Sequence, residues 1–263
     1  MAPALGRPIL GVAAAIAITS TMDATGLTAY SALPLLPLTL LFWYLERRPR
    51  PRMGFARARI GDFGLAVLYP LVVVGTGALV SIAAGAAHLS ETDWRKASFL
   101  FARVAVGTFL TVTLTEEGFF RGWLWASLER AGESPSRVLI WTSVAFALWH
   151  WSWVTLKTGG DLPGWQIPVF LVNAAFMGAV WGLLRAISGS VIVASLSHGV
   201  WNGIVYVFFG VGTKAGALGI ANTAIFGPEV GIVGLAINAG FAAALWRWWR
   251  ARAGRAAETQ GIA

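Results

Sequence analysis

Three short stretches set groups that can work on water into otherwise apolar surroundings. "TLTEEGFFRGWLW" (Thr113 to Trp125) carries Glu116, Glu117 and Arg121; "FALWH" carries Phe146 and His150; "ASLSHGVWN" carries His198 and Asn202. Carboxylates and imidazoles can take or give protons near neutral pH, as general acid–base catalysis requires. Helical spacing sorts the roles. Glu117 and Arg121, four apart, share a face and pair, whereas the adjacent Glu116 points about 100° away. The pairing offsets part of the burial cost of two charges and leaves Glu116 without a counter-ion, as a general base or acid requires. The competing reading is a salt-bridge knot with Glu116 merely lining water and each histidine joining helices. Two of the three histidines falling in apolar runs beside a free glutamate weigh against it.

The elements that must position these groups are membrane helices. With 57% hydrophobic residues, 12% charged and a mean hydropathy of +0.67, the chain exceeds the roughly one-half apolar and departs from the roughly one-quarter charged share of soluble domains. Segments of about 20 apolar residues are needed to cross about 30 Å of hydrocarbon. About eight are present, near 8–24, 27–45, 62–87, 98–128, 138–156, 167–185, 190–210 and 229–248. The expected fold is an all-α, polytopic membrane bundle. We divide it into first spans with an arginine-rich loop (1–97), a catalytic core (98–210), and a last span with a basic tail (211–263).

The net charge of +8 is gathered in topology signals, "ERRPRPRMGFARAR" and "RWWRARAGR" above all, and not in a nucleic-acid-binding patch. This places both termini and those loops in the cytoplasm of a cell (inner or plasma) membrane, with Arg95, Lys96, Lys157 and Lys214 outside. The first span reads as an uncleaved anchor, because no convincing cleavage site follows it. Helical rise then puts His150, His198 and Asn202 at depths that suit a pocket opening to the cytoplasm, provided the fourth helix runs unbroken to near Arg130. The absence of cysteine removes disulfides, thiol nucleophiles and thiolate ligands.

"EEGFFR", "FALWH" and "HGVWN", in that order, resemble the EExxxR, FxxxH and HxxxN motifs of the CPBP family. That family comprises type II CAAX prenyl endopeptidases and bacteriocin-processing or immunity membrane proteases. The resemblance covers roughly 99–208 and implies an eight-helix intramembrane peptidase with a cytoplasm-facing cavity. It implies that Glu116, assisted by His150, activates the attacking water. His198 and Asn202 would stabilise the oxyanion or position that water, and Glu117, Arg121 and Phe146 would support them. The favoured mechanism is metal-free; if zinc is used, Glu116, His150 and His198 are its ligands. The expected partner is a membrane-anchored protein or peptide, with a CAAX-type C-terminus or a leader or sorting segment, within the lipid bilayer. Two alternatives remain at this level: a non-catalytic immunity or scaffold protein, and a transporter, for which inverted halves are missing.

Overall fold

The computed structural model describes residues 5–47, 49–89, 92–156, 162–211 and 214–259; Arg48 and Lys157, used above as topology signals, lie outside them. The chain folds into helices α1 (Gly6–Ala24), α2 (Leu35–Glu46), α3 (Ile60–Ala83), α4 (Trp94–Leu114), α5 (Trp125–Arg130), α6 (Pro135–Trp149), α7 (Trp151–Thr155), α8 (Gln166–Ser188), α9 (Val191–Ile204), α10 (Thr223–Phe226) and α11 (Ile232–Thr259). The one sheet among the described residues is a two-stranded antiparallel ribbon, Gly210–Val211 against Lys214–Ala215. Five helical runs are long and apolar enough to cross a bilayer: Thr28–Glu46, Ile60–Ala83, Trp94–Arg130, Gln166–Ser188 and Val191–Phe209. The other three expected spans coincide with α1, the α6–α7 pair and α11.

Local chemistry sets several boundaries. Asp93 caps α4 by accepting from the backbone N–H of Lys96 at 3.0 Å, and Pro135 opens α6, where its missing N–H is not needed. Gly189, at φ 73°, adopts the left-handed conformation that ends α8. The fourth run spans 37 residues, to Arg130, with a break at Thr115 (φ -106°, ψ -93°) where α4 ends. It is not uniform, because Gly118–Leu124 forms a wide π-helical stretch immediately after the paired glutamates. Such bulges cluster at functional sites, because they re-aim side chains within a helix that otherwise continues.

The α4 and α9 helices approach closely because small residues face α4. A Cβ on Gly199 would lie 2.6 Å from the Ala105 carbonyl oxygen, and one on Gly203 would lie 2.9 Å from the Ala105 side chain. Small residues four apart let helix backbones meet where lipid gives no hydrophobic drive to association. Here the contact carries His198 and Asn202, on α9, up to the glutamates that follow α4.

Hydrogen bonds define the two ends of the bundle. At one end the arginine-rich loop meets the α8–α9 turn, through Arg185 Nη2 to the Arg52 carbonyl (3.3 Å) and Val191 N to the Gly54 carbonyl (2.8 Å). Arg250 of α11 reaches Ser136 at that end (3.3 Å). At the other end the α3–α4 connection meets the segment after the ribbon, through His88 N to Leu218 O (3.0 Å) and Ala221 N to Ala86 O (2.8 Å).

Candidate active site

Glu117 is fully buried and is held from two sides. Its Oε1 accepts from Arg121 Nη1 at 3.2 Å and from His198 Nδ1 at 3.0 Å. Arg121, also fully buried, gives a second hydrogen bond to the Gly178 carbonyl of α8 (3.0 Å), and its guanidinium lies 4.3 Å from the centre of the Phe146 ring. An ion pair in hydrocarbon persists only with such added partners, because Coulomb attraction alone does not repay desolvation. Phe146 therefore presents a π-face to the cation, and it also lines the hollow described below.

Because Glu117 is an acceptor, the His198 Nδ1 carries a proton toward it, and Nε2 is the ring nitrogen turned toward the other glutamate. That Nε2 lies 4.0 Å from Glu116 Oε2. One imidazole thus stands between the two adjacent carboxylates. The Trp181 ring stacks on it with centroids 3.9 Å apart and planes 11° from parallel, fixing its orientation. Glu116 is the more accessible glutamate, its side chain 14% exposed, as expected for the carboxylate left outside the ion pair.

His150 sits where α6 ends. Its Nδ1 lies 2.9 Å from the Phe146 carbonyl, an acceptor, so this ring too carries its proton on Nδ1 and keeps Nε2 free. Trp149 and Phe146 meet it edge-on, at 4.7 and 4.6 Å between centroids. Glu116, His150, His198 and Asn202 all line one hollow of about 410 Å³. Glu117 and Arg121 do not line it; they lie behind its floor.

The hollow was expected to open at the arginine-rich end; its lining runs toward the other end. Its wall continues from His198 through Asn202 to Tyr206, one helical turn at a time, and reaches Asp23, Ala29 and Glu229. Ala29 is exposed and Tyr206 is 40% exposed, and both belong to the end away from the arginine loop. The charged floor of Glu117, Arg121 and His198 closes the other direction. Depth counting found the level of each residue along its helix but could not say which side of that level was filled.

Two lining carboxylates were missed. Asp23, in the last turn of α1, accepts from Ser152 Oγ at 2.6 Å, and Thr19, one turn earlier, accepts from Trp149 Nε1 at 2.7 Å. Glu229 accepts from Trp201 Nε1 at 2.9 Å. It is carried on a turn that a polar seam holds in place: Tyr69 donates to Asn238 (2.7 Å), and Asn238 donates to Asn173 (2.9 Å). Asn173 in turn donates to the carbonyls of Pro228 (2.8 Å) and Glu229 (2.9 Å). The four-residue spacing of Thr19 and Asp23 was a usable signal. Glu229, at the edge of an apolar run, read as a boundary.

Among the described residues no three histidine, aspartate or glutamate side chains are gathered tightly enough to hold a metal ion. Glu116, His150 and His198 share the hollow without forming a ready-made zinc site.

A polar hollow walled in part by aromatic side chains, inside a multi-pass helical membrane protein, defines the class. The family model described as type II CAAX prenyl endopeptidase Rce1-like matches residues 96–204. The match supports the resemblance of this segment to the CPBP intramembrane proteases, and the segment contains every motif residue named above. No match was found among curated proteins or among solved structures.

Proposed function

We propose that the protein is an intramembrane endopeptidase that hydrolyses a peptide bond of a membrane-anchored protein, with Glu116 as the base that activates water. The supporting observation is His198 between two unlike glutamates, its Nδ1 on Glu117 at 3.0 Å and its Nε2 at 4.0 Å from Glu116. The second separation exceeds a direct hydrogen bond and is short enough for one water to touch both groups. Glu116 takes a proton from that water as its oxygen bonds to the scissile carbonyl carbon. His198 Nε2 accepts the water's other hydrogen and orients it. The Asn202 amide, one turn further into the hollow, donates to the oxyanion. As the C–N bond breaks, Glu116 returns its proton to the leaving amine. His150 Nε2 is the second imidazole on the hollow and assists Glu116 in these transfers.

The reaction is metal-free in this reading. Purified Glu116→Ala should lose cleavage of a membrane-anchored substrate while inserting and accumulating normally, and a chelator should leave the parent protein active. Retained cleavage in the variant, or activity lost to the chelator and restored by zinc, would remove this mechanism. The scaffold alternative makes the opposite claim, that Glu116→Gln is silent in cells.

Eight crossings with both termini in the cytoplasm remain the topology that fits the charge pattern, since most described arginines lie at one end. With that end inside, the hollow faces the outer leaflet, and segments exposed to the non-cytoplasmic side are the substrates it reaches. The chain has no cysteine, so single introduced cysteines report the topology cleanly. A membrane-impermeant maleimide added to intact cells should label Ala29→Cys and not Arg57→Cys; the reverse pattern would turn the hollow to the cytoplasm.

A further inference from the structure

Hydrolysis changes the charge of what the hollow holds. Water adds to the acyl carbon, the C–N bond breaks, and an uncharged amide becomes a carboxylate and an amine. The amine takes one proton from Glu116 and a second from the new carboxyl group. A peptide α-amine has a pKa of about 8, so near neutral pH the released fragment carries an ammonium at its new end. Left beside Glu116, that cation occupies the place of the next water. A second carboxylate in the same hollow, open at one oxygen, would draw it off.

Glu229 has that form. It lines the hollow with Glu116, His198 and Asn202, and its charge is near enough to interact with those of Glu116 and His198. Its Oε1 accepts from Trp201 Nε1 at 2.9 Å, while its Oε2 accepts from no described residue and is not sealed in protein. Asp23 and Glu117, by contrast, each keep one oxygen sealed. The group is also held in place. Trp201 is fully buried and stacks on Tyr69 with ring centres 5.2 Å apart, and Asn173 holds the Glu229 carbonyl at 2.9 Å. The Tyr206 phenol lines the same hollow, within electrostatic reach of both Glu229 and Glu116. An ammonium carries three donors, and a carboxylate oxygen and a phenol oxygen are acceptors for them.

We propose that Glu229, with the Tyr206 hydroxyl, is the seat of the ammonium formed on the released fragment, so that the hollow binds short peptides bearing a free α-amine and is inhibited by them. This rests on the peptidase reading and names the product end that the site holds. Protein walls strengthen the attraction relative to water. The seat makes no demand on side chains. A C-terminal carboxylate is a separate group at the fragment's far end, so substrates with a free carboxyl terminus release the same ammonium.

The test uses the full-length protein in phosphatidylcholine vesicles, whose surface adds no charge preference of its own. Trileucine with a free amine is compared with N-acetyl-trileucine, both with a free C-terminal carboxylate. Binding is read by calorimetric titration, with protein-free vesicles as blank, and by inhibition of cleavage of an acylated peptide. Near neutral pH the free amine should bind at least about tenfold more tightly. The advantage should fade about two units above the amine's pKa, where the amine is uncharged. Glu229→Gln, which keeps an acceptor for Trp201, should bring the two fragments within about twofold of each other. Glu116→Ala should lose cleavage and keep the preference. Trp201→Phe retains the Glu229 charge and should also keep it, which separates damage to the wall from loss of the charge. Equal binding by the parent, an undiminished preference in Glu229→Gln, or a preference that follows Glu116 instead would overturn the seat. A Glu229-dependent preference without cleavage of any anchored peptide leaves the seat standing and removes the peptidase reading.

Discussion

The floor and the upper wall of the hollow are both polar, yet they are built on different principles. The floor is an ion pair shared with an imidazole: Glu117, Arg121 and His198, buried, held by Trp181 and Phe146, and drawn from helices packed through glycine. The wall is held by neutral amides and hydroxyls, Tyr69 to Asn238 to Asn173, which carry the turn bearing Glu229 without contributing charge themselves. A charged floor fixes an orientation, because each ion has one partner geometry that repays its desolvation. A neutral seam fixes a position at lower cost and leaves the groups it presents free to meet a substrate.

The comparison can be broken at its strongest point first. Arg121→Ala strands the buried Glu117 carboxylate and should cost about 3–5 kcal/mol of stability, read as a large fall in thermal midpoint in detergent, with activity abolished. A small effect would mean that the floor is hydrated. Gly199→Ala comes next, since its Cβ would meet the Ala105 carbonyl oxygen at 2.6 Å. Overpacking of this kind costs about 1–3 kcal/mol. Its signature is selective, because pushing α9 from α4 separates His198 from Glu117, and kcat should fall while the protein still accumulates. Asn238→Ala should be the mildest, about 1–2 kcal/mol from lost hydrogen bonds, raising KM more than it lowers kcat as the Glu229 turn loosens. An equal fall in kcat would make the wall part of the reacting apparatus.

Much of the floor was legible in the sequence. The spacing of Glu117 and Arg121 foretold their pairing, and Glu116 was separated from them by direction alone. The helical run to Arg130 followed from hydropathy. What could not be read was the π-helical stretch at Gly118–Leu124, whose residues suit an ordinary α-helix equally well. Nor was the shared imidazole visible, because periodicity ranks faces within one helix and carries nothing about which ring nitrogen meets which carboxylate on another. The direction in which the hollow extends was not legible for a related reason. Depth along a helix is one-dimensional, whereas an opening is decided by which neighbours are missing.

The sequence by itself determined that the chain carries runs apolar enough for a bilayer, and that a carboxylate, two imidazoles and an amide lie in those runs. Composition and period act residue by residue, so they survive without knowledge of neighbours. Only the tertiary structure decided that Asp23 of the first helix and Glu229 before the last one face the same hollow, and which end of it is closed. Those are relations between segments distant in the chain, set by packing of whole helix faces, and no local pattern encodes them.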